Sequence, residues 1–273
     1  MVSDRLHIPR RVLAGAFGLA VLGVCGLGLH ALAGAQEARS REAAPRAQAT
    51  IRPTVFDMPQ PGAPAYRLHA FRVPLARTRL DIVDTGMNRG LEAVLRDSGA
   101  TLVVNGGFFG VRGEPEGLAV SGGRVLSPLL ARIGGGVLTE RAGIARLFAA
   151  ETPPAPDDAD FAVQCRPRLV VENTVNIRSD DGRHADRTAL CVRDGGAVLE
   201  VIVARSDDDD GRDGPTLFTL ARLLAARGCE QALNLDGGPS TGAAWRDPRG
   251  VRVLPPRGPV RHAVVFTLDA GRE

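Results

Sequence analysis

Gln231-Ala232-Leu233-Asn234-Leu235-Asp236-Gly237-Gly238-Pro239-Ser240-Thr241 decides the reading of the fold. An apolar run ends on a carboxylate, and the backbone then turns through two glycines. That pattern predicts a buried strand stopping at a sharp elbow. The same grammar occurs earlier, in Thr101-Leu102-Val103-Val104-Asn105-Gly106-Gly107-Phe108-Phe109. A small polar residue fixed on a strand end beside bare backbone makes a binding or catalytic floor. Two such elbows in one chain predict two walls of one pocket.

The surrounding sequence reads as short strands with few helices. Apolar runs of strand length lie at Tyr66–Val73, Leu80–Val83, Leu118–Val120, Arg124–Leu126, Gly136–Thr139, Ile144–Phe148, Leu169–Glu172, Thr188–Val192, Ala197–Ala204 and Ala263–Leu268. The valine-rich Ala197–Ala204 run suits a central position in its sheet. Leu91–Leu95 reads as a short helix closed by Gly99. Pro215–Arg227 reads as a longer one, with Pro215 in its first turn and Gly228 ending it. The expected architecture is α+β, a mixed β-sheet core with few helices, in a single domain at residues 65–270.

The N-terminus is a targeting segment. Arg5, Arg10 and Arg11 precede an uncharged run from Val12 to Ala35, which ends in Ala33-Gly34-Ala35. Residues 1–35 therefore read as a cleaved signal peptide or as a membrane anchor through residues 12–35. Either reading places the rest in the periplasm or outside the cell, in the second case tethered to the inner membrane. Residues 36–64, ending in Pro59-Gln60-Pro61-Gly62-Ala63-Pro64, read as a disordered linker.

Composition narrows the chemistry. Net charge is +3 and the basic residues are dispersed, which excludes a nucleic-acid partner. All 34 Lys/Arg positions are arginine, so no Schiff-base or phosphate-loop lysine exists. Arginine remains, and its planar fork suits phosphate and carboxylate. No cofactor is expected: Gly106-Gly107 and Gly134-Gly135-Gly136 open no helix of a dinucleotide fold. His69, His184 and His262 lack zinc-ligand spacing. Asp207–Asp210 reads as a solvated face, and a metal requirement stays open. With Cys25 removed, Cys165, Cys191 and Cys229 remain. Cys165 with Cys191 is the favoured pair because both lie in strand-like runs flanking one loop, and free buried thiols are the alternative.

Asp236 is the sharpest catalytic candidate, a partly desolvated carboxylate at a strand end, with Asn234 two residues earlier on the same face. Asn105, with the backbone of Gly106 and Gly107, holds the matching place at the first elbow. Arg187, opening a strand after a glycine-bearing loop, suits clamping an anion. Glu116 is the candidate second carboxylate for glycoside chemistry. Gln164, Gly237, Gly238, Ser240 and Thr241 complete the expected substrate-binding set.

These residues together resemble the phosphodiester glycosidase family. The resemblance rests on Asn105-Gly106-Gly107-Phe108-Phe109, on Gly117-Leu118 before a Ser-Gly-Gly turn, and on Gln164 to Val170. It continues through Arg187-Thr188-Ala189 to Asn234-Leu235-Asp236-Gly237-Gly238-Pro239-Ser240-Thr241, in family order across residues 66–268. Arg166 stands before Pro167, and Pro239 follows the glycine pair, where the family pattern favours glycine or a small residue. The resemblance implies hydrolysis of a sugar linked through phosphate to a second group, which keeps the phosphate. The expected protein is an exported hydrolase acting on a glycosyl phosphodiester or polysaccharide of an envelope or extracellular glycan. The rival is a non-catalytic glycan-binding or envelope-assembly protein on the same fold. One Trp and one Tyr are few for a sugar-stacking module.

Overall fold

The computed structural model describes residues 50–269, which belong to one compact unit. The expected signal or anchor, and the linker up to residue 49, lie outside the described residues. Among those described, no helix is long and apolar enough to cross a membrane.

Among the described residues, seventeen strands build three sheets. The largest has the order β1 (Pro53–Gln60), β2 (Ala63–Pro74), β13 (Val198–Ser206), β12 (Arg187–Arg193), β14 (Gln231–Asn234), β10 (Arg168–Val171), β11 (Thr174–Val175). A five-stranded sheet runs β16 (Gly250–Leu254), β15 (Ala243–Asp247), β4 (Leu102–Asn105), β17 (His262–Leu268), β3 (Thr78–Asp84). Another runs β6 (Arg124–Ser127), β5 (Ala119–Ser121), β9 (Phe161–Cys165), β7 (Gly136–Arg141), β8 (Ile144–Ala149). Every ladder among them is antiparallel, so the expected mixed sheet is corrected to antiparallel sheets with two α-helices. The expected strands recur within two residues at each end, save that β2 starts three residues before Tyr66, and β13 is an interior strand.

Strand alternation sorts the side chains of the large sheet into two layers. Leu190, Val192, Leu199, Val201, Val203 and Leu233 face inward, into a core shared with Phe161, Val163, Val264 and Phe266 of the other sheets. Ala189, Cys191, Ile202, Ala204 and Ala232 face outward, where α2 (Leu217–Ala226) covers them with Leu220, Ala221 and Leu224. The first helix, α1 (Leu91–Ser98), covers the second sheet in the same way through Leu91, Val94 and Leu95. Gly99 closes α1 in the left-handed region at φ 68, as expected. Pro215 lies just before the helix rather than in its first turn, and Thr216 caps α2, its side chain accepting from the Thr219 amide.

Two expectations are overturned. Residues 53–60 are strand β1 rather than linker, paired along β2 from Pro53↔Phe71 to Gln60↔Ala63. Its prolines sit on an edge strand, where a missing N–H costs nothing. The disulfide joins Cys191 to Cys229, with Cα atoms 5.5 Å apart, and Cys165 is a free buried thiol. Alternation is the reason: Cys191 points to the α2 layer, where Cys229 follows the helix, while Cys165 points into the inner core.

Candidate active site

The two elbows meet. The Asp236 amide donates to the Gly106 carbonyl at 3.0 Å, and Asn105 Nδ2 donates to the Asp236 carbonyl at 2.7 Å. Asn105 Oδ1 accepts from Thr188 Oγ1 at 2.6 Å and from the Gly242 amide at 3.2 Å. At 0% exposure, Asn105 is a strut between strands, buried behind the cavity rather than lining it. The glycines differ in their reasons. A Cβ at Gly106 would lie 2.9 Å from His262 Cβ, and one at Gly237 would lie 2.8 Å from the Asp186 carbonyl. Only Gly238, at φ +58, needs the left-handed region.

In front of the second elbow is a cavity of about 580 Å³ lined by Asn234, Asp236, Gly237, Gly238 and Arg187. Phe108, Arg166, Pro167, Arg183 and Leu217 complete it. Its position follows from strand pairing. Arg187 lies two residues before Ala189, and Ala189 pairs with Asn234, so both side chains fall on the α2 face at one end of the sheet. Leu217 brings the N-terminal end of α2 to the cavity, where the helix dipole favours negative charge.

Asp236 is the only carboxylate in this lining. Burial pushes its carboxyl above the usual carboxylate range, and hydrogen bonding from the Gly237 amide opposes the rise. The Gly237 amide donates to Asp236 Oδ1 at 2.9 Å, so part of the carboxylate closes its own turn. Arg187 donates to the carbonyls of Pro215 at 3.2 Å and Arg183 at 2.8 Å, and makes no ion pair among the described residues. Burial pulls its pKa down, countered by Asp181 and Asp186. Asn234 Nδ2 is spent on the Arg166 and Leu235 carbonyls, whereas its buried Oδ1 has no protein partner. That oxygen suits a ligand hydroxyl.

The remaining expected residues stand elsewhere. Glu116 pairs with Arg132 at 3.2 Å outside this cavity, so a two-carboxylate arrangement with Asp236 is not formed. Gln164 is a buried clamp: its Oε1 accepts from the Leu118 and Leu130 amides, and its Nε2 donates to the Leu130 and Gly134 carbonyls. Ser240 and Thr241 are buried behind the elbow, Ser240 donating to the Pro259 carbonyl at 2.9 Å. Gly107 packs against the Gln164 carbonyl. Sequence reasoning did not place Phe108, Arg166, Arg183 and Leu217 in the lining of this cavity. The unusual Arg166 before Pro167 was the one available signal. A separate cavity of about 310 Å³ lies between α1 and residues 253–260. Its Glu92 is ion-paired with Arg96.

Fold and cavity define an antiparallel β-sheet protein with a concave, arginine-lined cavity floored by one carboxylate. The sequence model of the phosphodiester glycosidase family matches residues 98–266, and the chain belongs to that family. The fold is similar to the catalytic domain of zebrafish N-acetylglucosamine-1-phosphodiester alpha-N-acetylglucosaminidase, auto-inhibited by its pro-peptide. That likeness has a TM-score of 0.62 at 15% identity and covers 81% of this chain and 85% of that one. A hypothetical protein from Synechocystis is similar with a TM-score of 0.62 at 13% identity, over 79% of this chain. The matched region spans 62% of the Synechocystis protein's length. No curated protein sequence matches the chain.

Proposed function

We propose that the protein is an exported hydrolase that releases a sugar from a glycosyl phosphodiester of an envelope or extracellular glycan. One observation carries this reading: the lone, partly buried Asp236 shares a cavity with Arg166, Arg183 and Arg187. The arginines suit the phosphodiester, and the Asn234 Oδ1 acceptor suits a sugar hydroxyl.

The chemistry explains why one carboxylate suffices. Breaking the bond between the anomeric carbon and the phosphate oxygen sends the electron pair to a phosphate monoester. That is a weakly basic leaving group, which the arginines stabilise without a proton from the protein. Asp236 is then free to act as base. Its carboxylate takes a proton from the water that bonds to the anomeric carbon, and its negative charge steadies the developing oxocarbenium. A raised pKa makes it a better base. The Cys191–Cys229 disulfide supports an oxidising compartment, in keeping with export.

Asp236→Asn and Arg187→Gln, assayed on a panel of sugar-1-phosphodiesters, test the assignment. We expect Asp236→Asn to lower kcat and Arg187→Gln chiefly to raise KM. Wild-type turnover in both folded variants would refute it.

A further inference from the structure

A second recess of about 200 Å³ lies on the inner face of the large sheet, and Arg67, His69, Arg205 and Arg257 line it together with the carboxylate of Asp207. Its construction is unfavourable as it stands. Arg67 and Arg205 are direct cross-strand partners on β2 and β13, and like charges placed opposite one another destabilise a sheet. Arg257 reaches the same recess from the β16–β17 connection. Burial and repulsion from Arg257 lower the pKa of Arg205, opposed by Asp186 and Asp208, with a smaller lowering from Arg67. His69, 8% exposed, carries a buried Nδ1 with no hydrogen-bond partner.

The carboxylates nearby offset most of this charge, but none of them pairs with Arg205 directly. Asp207 pairs with Arg67 at the rim, where both are more than half exposed. Asp186 is buried and pairs with Arg257, and Asp208 lies 4.0 Å from the same guanidinium. Asp57 stands across from Arg67 on β1 without an ion pair to it. Arg205 makes no ion pair among the described residues and donates only to the carbonyls of Pro255 at 2.6 Å and Thr241 at 3.5 Å. Among the described residues, this small polar recess therefore holds a guanidinium with no direct ion pair and an imidazole whose buried nitrogen has no partner.

We propose that this recess binds a phosphate group, free or as a small monoester, between Arg205, Arg67 and His69. Two guanidinium forks meet a tetrahedral oxyanion with several charge-assisted hydrogen bonds, and the neutral imidazole supplies one more donor. The bound charge relieves the cross-strand repulsion. The site is distinct from the Asp236 cavity, yet the two share a support: Arg257 holds Asp186, whose carbonyl accepts from the Gly238 amide at 2.7 Å.

Calorimetric titration tests this in phosphate-free buffer, with inorganic phosphate in one arm and glycerol 3-phosphate in the other. Arg187→Gln serves as the background, because it weakens anion binding in the Asp236 cavity. The expected result is saturable one-site binding in that background, from at least one arm. Adding Arg205→Gln should weaken it tenfold or more. Arg67→Gln, at the exposed rim, should weaken it less and keeps the test valid if Arg205→Gln fails to fold. Phosphate should also raise the Tm of the Arg187→Gln protein more than sodium chloride of equal ionic strength does. No binding from either arm in the Arg187→Gln background, or binding unchanged by Arg205→Gln and Arg67→Gln, would overturn the proposal. Neither result depends on whether Asp236 catalyses sugar release.

Discussion

Asn105 offers a sharp separation between a strut and a substrate ligand. Asn105→Ala removes three buried hydrogen bonds, to the Asp236 carbonyl, Thr188 Oγ1 and the Gly242 amide. Each partner left buried and unpaired costs about 1–3 kcal/mol, and partial relaxation keeps the sum below simple addition. The net loss should be about 3–5 kcal/mol, which for a domain of this size lowers Tm by roughly 6–20 °C. Asn105→Asp should be nearly as damaging, because it keeps the acceptor but turns a second oxygen toward the Asp236 carbonyl. Thermal unfolding followed by circular dichroism reads the loss, with sugar-phosphodiester turnover measured on the folded fraction. A Tm within 2 °C of wild type (about 1 kcal/mol) would refute the strut. Lost turnover at unchanged Tm would place Asn105 on the substrate instead.

Three further outcomes follow from particular contacts. Gly106→Ala should destabilise by about 1–3 kcal/mol, because its Cβ meets His262 Cβ at 2.9 Å, whereas Gly107→Ala, with its nearest atom at 3.5 Å, should be mild; paired denaturant titrations distinguish them. Cys191→Ala/Cys229→Ala should lose about 2–4 kcal/mol, as expected for a bridge closing a separation of 38 residues, and unchanged stability under reducing conditions would contradict the bridge. Glu116→Gln should leave turnover intact, because its carboxylate pairs with Arg132 outside the cavity; a hundredfold loss in kcat would restore a second catalytic carboxylate.

The strands were legible where apolar runs were long, and the elbows predicted a pocket whose Arg187, Asn234 and Asp236 do line one cavity. Other features depend on partners distant in the chain. Edge strand β1 reads as linker because its sequence is rich in proline and half exposed, and only pairing with β2 makes it a strand. The β15–β16 hairpin begins with two alanines, which carry little strand signal. Cysteine pairing turned on which face of β12 Cys191 occupies, a parity set by register rather than by spacing. Asn105 and Gln164 read as substrate-site residues in the sequence, whereas in the structure their amides are hydrogen-bonded within the protein, largely to backbone groups. A buried amide that satisfies backbone groups and one that holds a sugar look alike in sequence.

The pH profile of Asp236 bears most directly on the central claim. Burial raises its folded pKa, so the stability it contributes is fully present below its unfolded pKa and is lost as pH rises through the folded value. As base, Asp236 acts only when ionised, so kcat should rise with pH through a value above the ordinary carboxylate range. Asp236→Asn should remove that limb and lower kcat on a sugar-1-phosphodiester by about 10²–10⁴-fold, while gaining stability at neutral pH. The measurement is phosphomonoester release against pH for wild type and Asp236→Asn, with Tm recorded for both. A folded Asp236→Asn protein that keeps wild-type turnover and the same pH limb would contradict the account.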